Sequence, residues 1–254
     1  MSKDINPVLN GWDYEPDELQ VRIVAGDDGR EKLQMRIDLG LVQMELTGRP
    51  DGTRPLDFDS LLDAYEAKAK SALAKGEEFS LDQNVCTELA REGYQFYHRY
   101  LAAFHLQRYD LVARDTERNL RLFAFVVSYA KRPRDKVQLD RYRPYVVMMR
   151  TRALTHIALG KNEYANAIAL IDEGVEAIRG FLKDYEELDN EAECAELGFL
   201  LRWRREVERE RPLGPVERLE EQLELAVALE DYEEAGRIRD QLRRLKGATL
   251  GASD

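Results

Sequence analysis

Few residues in this sequence have the type and spacing for chemistry, and most of those spacings argue against it. The three histidines are His98, His105 and His156. His98 and His105 are seven apart, which places them on one helix face but two turns, ~10.5 Å, from each other. A metal or an acid–base pair shared across that gap needs further ligands. Their neighbours are instead Tyr97, Tyr100 and Phe104, so packing histidines are expected. Cys86 and Cys194 are isolated, which indicates neither a disulfide framework nor a zinc site. No Gly-x-x-x-x-Gly-Lys-Ser/Thr phosphate loop occurs. The carboxylates Asp184, Glu186, Glu187, Asp189, Glu191, Glu193 and Glu196 crowd one stretch without an interleaved His or a Gly-bearing metal loop. They read as a solvated helix junction. The sequence therefore indicates no catalytic residue, metal ligand or cofactor, and the chain is expected not to be an enzyme.

The basic segment has more to offer. Between Arg108 and Arg152 stand twelve Lys and Arg against five acids, in a chain of net charge −11. Tyr129, Tyr142 and Tyr145 are interleaved with them. One reading is a positively charged groove for an acidic partner, including nucleic acid, with Arg132, Arg134, Arg141 and Arg143 as its contacts. The other is complementary charge against the acidic helices on either side. The overall negative charge argues against a general nucleic-acid coat protein. Gly48 to Pro55 holds two Gly, two Pro and two Arg, a composition that suits an anion-binding backbone concavity or an ordinary two-turn connector.

The elements that position these residues are mostly helical. Charged residues make up 34% of the 254 and apolar ones 44%, as in a soluble, helix-rich protein with room for a substantial core. Leu19 to Ala25 and Leu33 to Leu39 alternate apolar and polar around Asp27-Asp28-Gly29, and Leu41 to Leu46 supplies a third apolar run. The pattern predicts a small antiparallel sheet within residues 1–56, which must pack on the helices that follow. Residues 57–211 read as helices to about Lys75, Leu106, Lys131, Leu159, Tyr185 and Arg211, the third ended by the break at Arg132-Pro133-Arg134-Asp135 and the fourth a single helix after it. Pro212-Leu213-Gly214-Pro215 marks a linker over 212–216. The opening Met-Ser-Lys-Asp-Ile-Asn-Pro has no apolar signal region, and no run approaches the ~20 residues that span a bilayer. A cytoplasmic protein without a membrane partner is expected.

Two elbows resemble each other, Phe104-His105-Leu106-Gln107-Arg108-Tyr109 and Leu159-Gly160-Lys161-Asn162-Glu163-Tyr164. Each puts Tyr at the start of a second helix with a small residue shortly after, similar to the turn of a tetratricopeptide (TPR) repeat. The two Tyr are further apart than that 34-residue repeat allows, so the reading stops at a TPR-like helical array.

Residues 217–246 carry the clearest periodicity. Leu219, Leu223 and Ala226 form one apolar stripe, and Ala235, Ile238, Leu242 and Leu245 another, with Leu229-Glu230-Asp231-Tyr232 between them. Acids open the second helix and Arg243, Arg244 and Lys246 close it, matching the helix dipole. An antiparallel helical hairpin is predicted, followed by a disordered tail over 247–254. The core Asp231-Tyr232-Glu233, Ala235 and Arg239-Asp240, with the spaced leucines, resembles the UVR motif, the hairpin at the C-terminus of UvrB and within UvrC. Gly236 departs from the Ala usual there, at a cost of roughly 0.5–1 kcal/mol of helix stability. The body resembles bacterial proteins that end in such a motif.

The resemblance implies a docking element without catalytic activity. The partner is expected to be a protein with a UVR-type hairpin, or a second copy of this chain. Its contacts would be Leu219, Leu223, Ala226, Tyr232, Ile238, Arg239, Asp240, Leu242 and Leu245, since a lone hairpin of ~30 residues has too little of itself to bury them. A DNA-repair accessory touching nucleic acid through residues 108–152 is the alternative.

Overall fold

A computed structural model describes residues 4–186 and 188–250, without the side chains of 188–189, 215–217 and 246–250. The chain divides into two compact units, residues 1–206 and 207–254.

The first unit begins with a short helix, α1 (Asn6–Leu9), and a three-stranded antiparallel sheet in the order β1 (Val21–Ala25), β2 (Glu31–Ile37), β3 (Gly40–Glu45). Val21 pairs with Met35, and Leu33 with both Ile23 and Met44, so Leu33 is the register point of all three strands. It is fully buried, and Met35 and Met44 nearly so. The alternate face of β2 is covered as well. Lys32 is buried with its ammonium between Asp28 (2.7 Å) and Glu45 (2.5 Å). The lead-in carrying Trp12 is held to the sheet by Arg22, whose guanidinium lies 3.9 Å from the indole centroid, and by Arg36, which donates to the Trp12 carbonyl.

Helices follow: α2 (Leu61–Ala74), α3 (Gln83–His105), α4 (Tyr109–Tyr129), α5 (Pro133–Asp140), α6 (Arg143–Gly160), α7 (Tyr164–Asp184) and α8 (Ala195–Glu210). Ser60 caps α2 by accepting from the Asp63 N–H, and Asp82 caps α3 through Val85. Successive long helices pack as neighbours, α3 on α4, α4 on α6 and α6 on α7, giving a helical array. Its core gathers Leu62, Leu81, Leu89, Leu122, Phe123, Val126, Leu139 and Val146. At one crossing Gly174 of α7 lies against Thr151 of α6, where a Cβ would stand 3.0 Å from the Thr151 Cβ.

Two helical boundaries differ from expectation. The helix expected to continue unbroken to Leu159 is two helices, parted at Arg141 and Tyr142. Pro144 explains the break, because a residue without an N–H and with fixed φ suits a first helical turn and not an interior. The single helix expected from Glu187 to Arg211 is a 3₁₀ segment, Leu188–Glu193, followed by α8. Glu186 takes φ 57° at the end of α7, and the crowd of carboxylates beyond it disfavours a continuous helix.

The second unit contains α9 (Pro215–Ala228) and α10 (Tyr232–Leu250), which pack on each other as a hairpin. The expected linker is therefore shorter, 211–214, with Pro215 already inside α9. α10 runs to Leu250, so residues 247–250 are helical and not a disordered tail; residues 251–254 lie outside those described. Among the described residues no helix is long and apolar enough to cross a membrane.

Candidate functional site

The hairpin closes on its own core. Ala226, Ala235, Ile238 and Leu242 are buried together, with Leu219 and Leu223 packed at their edge. Both apolar stripes thus face each other across the hairpin. This corrects the expectation that Ala226, Ile238 and Leu242 are open to a partner: two helices meeting face to face leave the middle of each stripe no free surface. Leu245, the last residue of the second stripe, is 37% exposed. Arg239 and Asp240 are exposed and face each other at 3.6 Å, a surface pair worth little by itself.

What the hairpin leaves bare is its elbow. Leu229 and Tyr232 are each 71% exposed, and Leu225, one turn before Leu229, is 61% exposed. Val227 is exposed on another side of α9. Tyr232 was among the expected contacts; Leu225, Val227 and Leu229 were not. The sequence signal for them is that they are apolar but fall outside the Leu219–Leu223–Ala226 stripe.

This elbow has the same construction as the two in the first unit. Gln107, Asn162 and Glu230 occupy the left-handed region at φ 57°, 60° and 58°, each two residues before the tyrosine. Arg108, Glu163 and Asp231 donate their N–H to the carbonyls of Ala103, Ala158 and Ala226, at 2.9, 3.0 and 2.9 Å. Gln107, Asn162 and Glu230 donate to Phe104, Leu159 and Val227 at 2.9–3.0 Å. That pair of bonds closes the last helical turn in the Schellman manner. Each alanine six residues before the tyrosine is buried, as is the small or β-branched residue three after it: Val112, Ala167 and Ala235. Small side chains at both places let the second helix fold back closely on the first.

The elbows differ in what covers the tyrosine. Tyr109 is half-buried, its ring stacked on His156 at 4.6 Å between centroids and 11° between planes. Phe104 and Trp203 flank the same imidazole. Burial, and secondarily the charge of Arg152, holds His156 below its ordinary pKa. Tyr164 is half-buried too. Tyr232 alone of the three stands in the open.

The basic segment is largely neutralised in place. Arg108, Arg114, Arg121 and Arg150 each reach a carboxylate within 4 Å. Arg118 is buried against Glu92, whose two oxygens also accept from the Leu61 and Leu62 N–H groups at the start of α2. Burial draws the Arg118 guanidinium down to about 9, still charged at neutral pH. Of the four expected anion contacts, Arg132 forks onto Asp135 and Arg143 onto Asp140. Arg134 and Arg141 are exposed, and neither has a carboxylate within ion-pair distance among the described residues. Arg152 lies over the rings of Phe104 and Phe199.

The 48–55 loop is a connector with a structural duty. Arg99, 1% exposed, forks onto Asp115 (2.6 and 2.9 Å) and donates to the carbonyls of Glu45 and Gly48, both at 2.8 Å. One buried guanidinium thus ties β3 and the loop to α3 and α4. Arg49 is occupied by Asp51 and Glu92. Nothing in the sequence spacing signals these buried charges.

Of the remaining candidates, His98 packs against Tyr94 and Tyr97. Burial pushes the Cys86 thiol up to about 11 and raises Cys194 as well, so neither is a ready thiolate at neutral pH. Among the described residues no group of three His, Cys, Asp or Glu is placed to hold a metal ion.

Residues 215–248 match the family described as the UvrB/uvrC motif, UVR. Comparison with curated proteins and with solved structures returned no match.

Proposed function

We propose that this protein is a non-enzymatic adaptor whose C-terminal hairpin docks a UVR-bearing protein or a second copy of the chain. The observation that carries the reading is the bare elbow. The hairpin satisfies its own core yet leaves Leu225, Leu229 and Tyr232 to solvent beside a turn whose counterpart in the first unit is covered by the aromatic cluster at His156. The match of residues 215–248 to the UVR motif supports the same role. Burying a Leu and a Tyr of this size contributes roughly 1.5–3 kcal/mol each, enough to anchor a small interface.

The alternative, nucleic-acid contact through residues 108–152, keeps Arg134 and Arg141 as its best remaining contacts, because most of the other cations already have acidic partners. Sedimentation of the full chain, alone at rising concentration and mixed with the C-terminal hairpin region of UvrB, tests the adaptor reading. Association in either arm is expected. A monomer in both overturns it.

A further inference from the structure

We propose that the first unit holds a separate binding site for an organic cation, an alkylammonium or guanidinium group, in a cavity walled by tyrosines. The cavity is about 350 Å³, within the range of small-molecule sites. Tyr94, Tyr97 and Tyr100 of α3 line it at successive turns, and Tyr142 and Tyr145 face them from the start of α6. Tyr97 stands edge-on to both α3 neighbours, at 80° to Tyr94 and 89° to Tyr100. The rings therefore wall more than one side. Tyr94 and Tyr142 are exposed at 55% and 38%, while Tyr100 is 1% exposed, so the site runs from surface to core.

Charge selects the ligand. Glu196, in the first turn of α8, is the one carboxylate in the lining, which contains no Lys, Arg or His. No basic group of the described residues comes within ion-pair distance of it; its carboxylate accepts from the Cys194 thiol at 3.7 Å. Two neighbouring cations already have partners, one of them a ring of the wall itself. Arg141 lies over the ring of Tyr142 and donates to its hydroxyl, and Arg152 lies over Phe104 and Phe199. Electron-rich ring faces with one unpaired carboxylate are the chemistry that attracts a weakly hydrated cation. A neutral aromatic ligand would use the rings and leave Glu196 unpaired; an anion would meet it in repulsion.

Titration calorimetry of the full chain tests this with three probes: choline, N-acetylarginine amide and the neutral choline isostere 3,3-dimethylbutan-1-ol. Both cations are expected to bind about tenfold or more tightly than the alcohol. Glu196→Gln and Tyr97→Leu should each remove most of that preference, and Tyr97→Phe, which keeps the ring, should retain it. Tighter choline points to a small quaternary ammonium compound as the natural ligand, and tighter arginine amide to a side chain of a partner protein. Equal affinity for the alcohol overturns the proposal, as does no binding of either cation by the folded wild-type chain.

Discussion

Tyr109 and His156 lie flat against each other, and that contact shows how this chain finishes a helical elbow when a covering element is present. The turn at Gln107–Tyr109 and the turn at Glu230–Tyr232 share left-handed φ, the paired carbonyl bonds and small residues on both sides. One tyrosine is stacked and the other is bare. The difference lies in what covers it, and so the bare elbow is the surface the account assigns to a partner.

The stacked imidazole should make stability depend on pH. His156 in the fold lies below its ordinary pKa of 6.5, so near and below that value the unfolded chain binds more protons than the folded one. Its contribution is complete above about pH 6.5 and is lost as pH falls through the lower folded value. Urea unfolding between pH 7.5 and 5 should show this decline, and His156→Phe should flatten it. An unchanged slope in the variant would place the dependence elsewhere.

Removing one partner of the Arg99–Asp115 pair should be severe. Both side chains are 1% exposed, and Arg99 also holds the carbonyls of Glu45 and Gly48. Arg99→Met leaves a buried carboxylate and should cost about 3–5 kcal/mol by denaturant unfolding. The double variant Arg99→Met with Asp115→Leu should recover part of that loss, since no buried charge is left stranded and Arg114, which also pairs with Asp115, is 42% exposed.

At Gly174 any side chain meets Thr151, whose Oγ1 and Cγ2 both occupy the space of a Cβ, the latter at 2.9 Å. Gly174→Ala should cost about 1–3 kcal/mol, and Thr151→Ala in the same chain should return part of it. Gly236, by contrast, has open space where a Cβ would go. Gly236→Ala should raise the stability of the hairpin by about 0.5–1 kcal/mol.

Much of this architecture is legible in the sequence where periodicity alone decides it. The strands and their order follow from alternation around Asp27-Asp28-Gly29, and α9 and α10 from their stripes. A stripe states that a face is covered, but not by what; Leu242 therefore suggested a partner where the sister helix is the cover. Charge counting along the chain fails for a related reason. Arg118, Arg121 and Arg143 find Glu92, Asp63, Glu66 and Asp184 outside the segment in which they were counted. The break at Arg141 is hidden because Pro144 permits either a helix start or a kink, and only packing chooses.

The elbow can be changed while the hairpin core stays intact, and that change tests docking most directly. The measurement is the association constant, by sedimentation equilibrium, of the wild-type chain with itself and with a UVR-bearing hairpin. It is repeated for Leu229→Ser with Tyr232→Ser, and for Leu73→Ser, which removes an equally exposed leucine from α2. The elbow variant should weaken association by about tenfold or more, with helical content unchanged, while the Leu73 variant matches the wild type. Equal association by all three chains would contradict docking through the elbow.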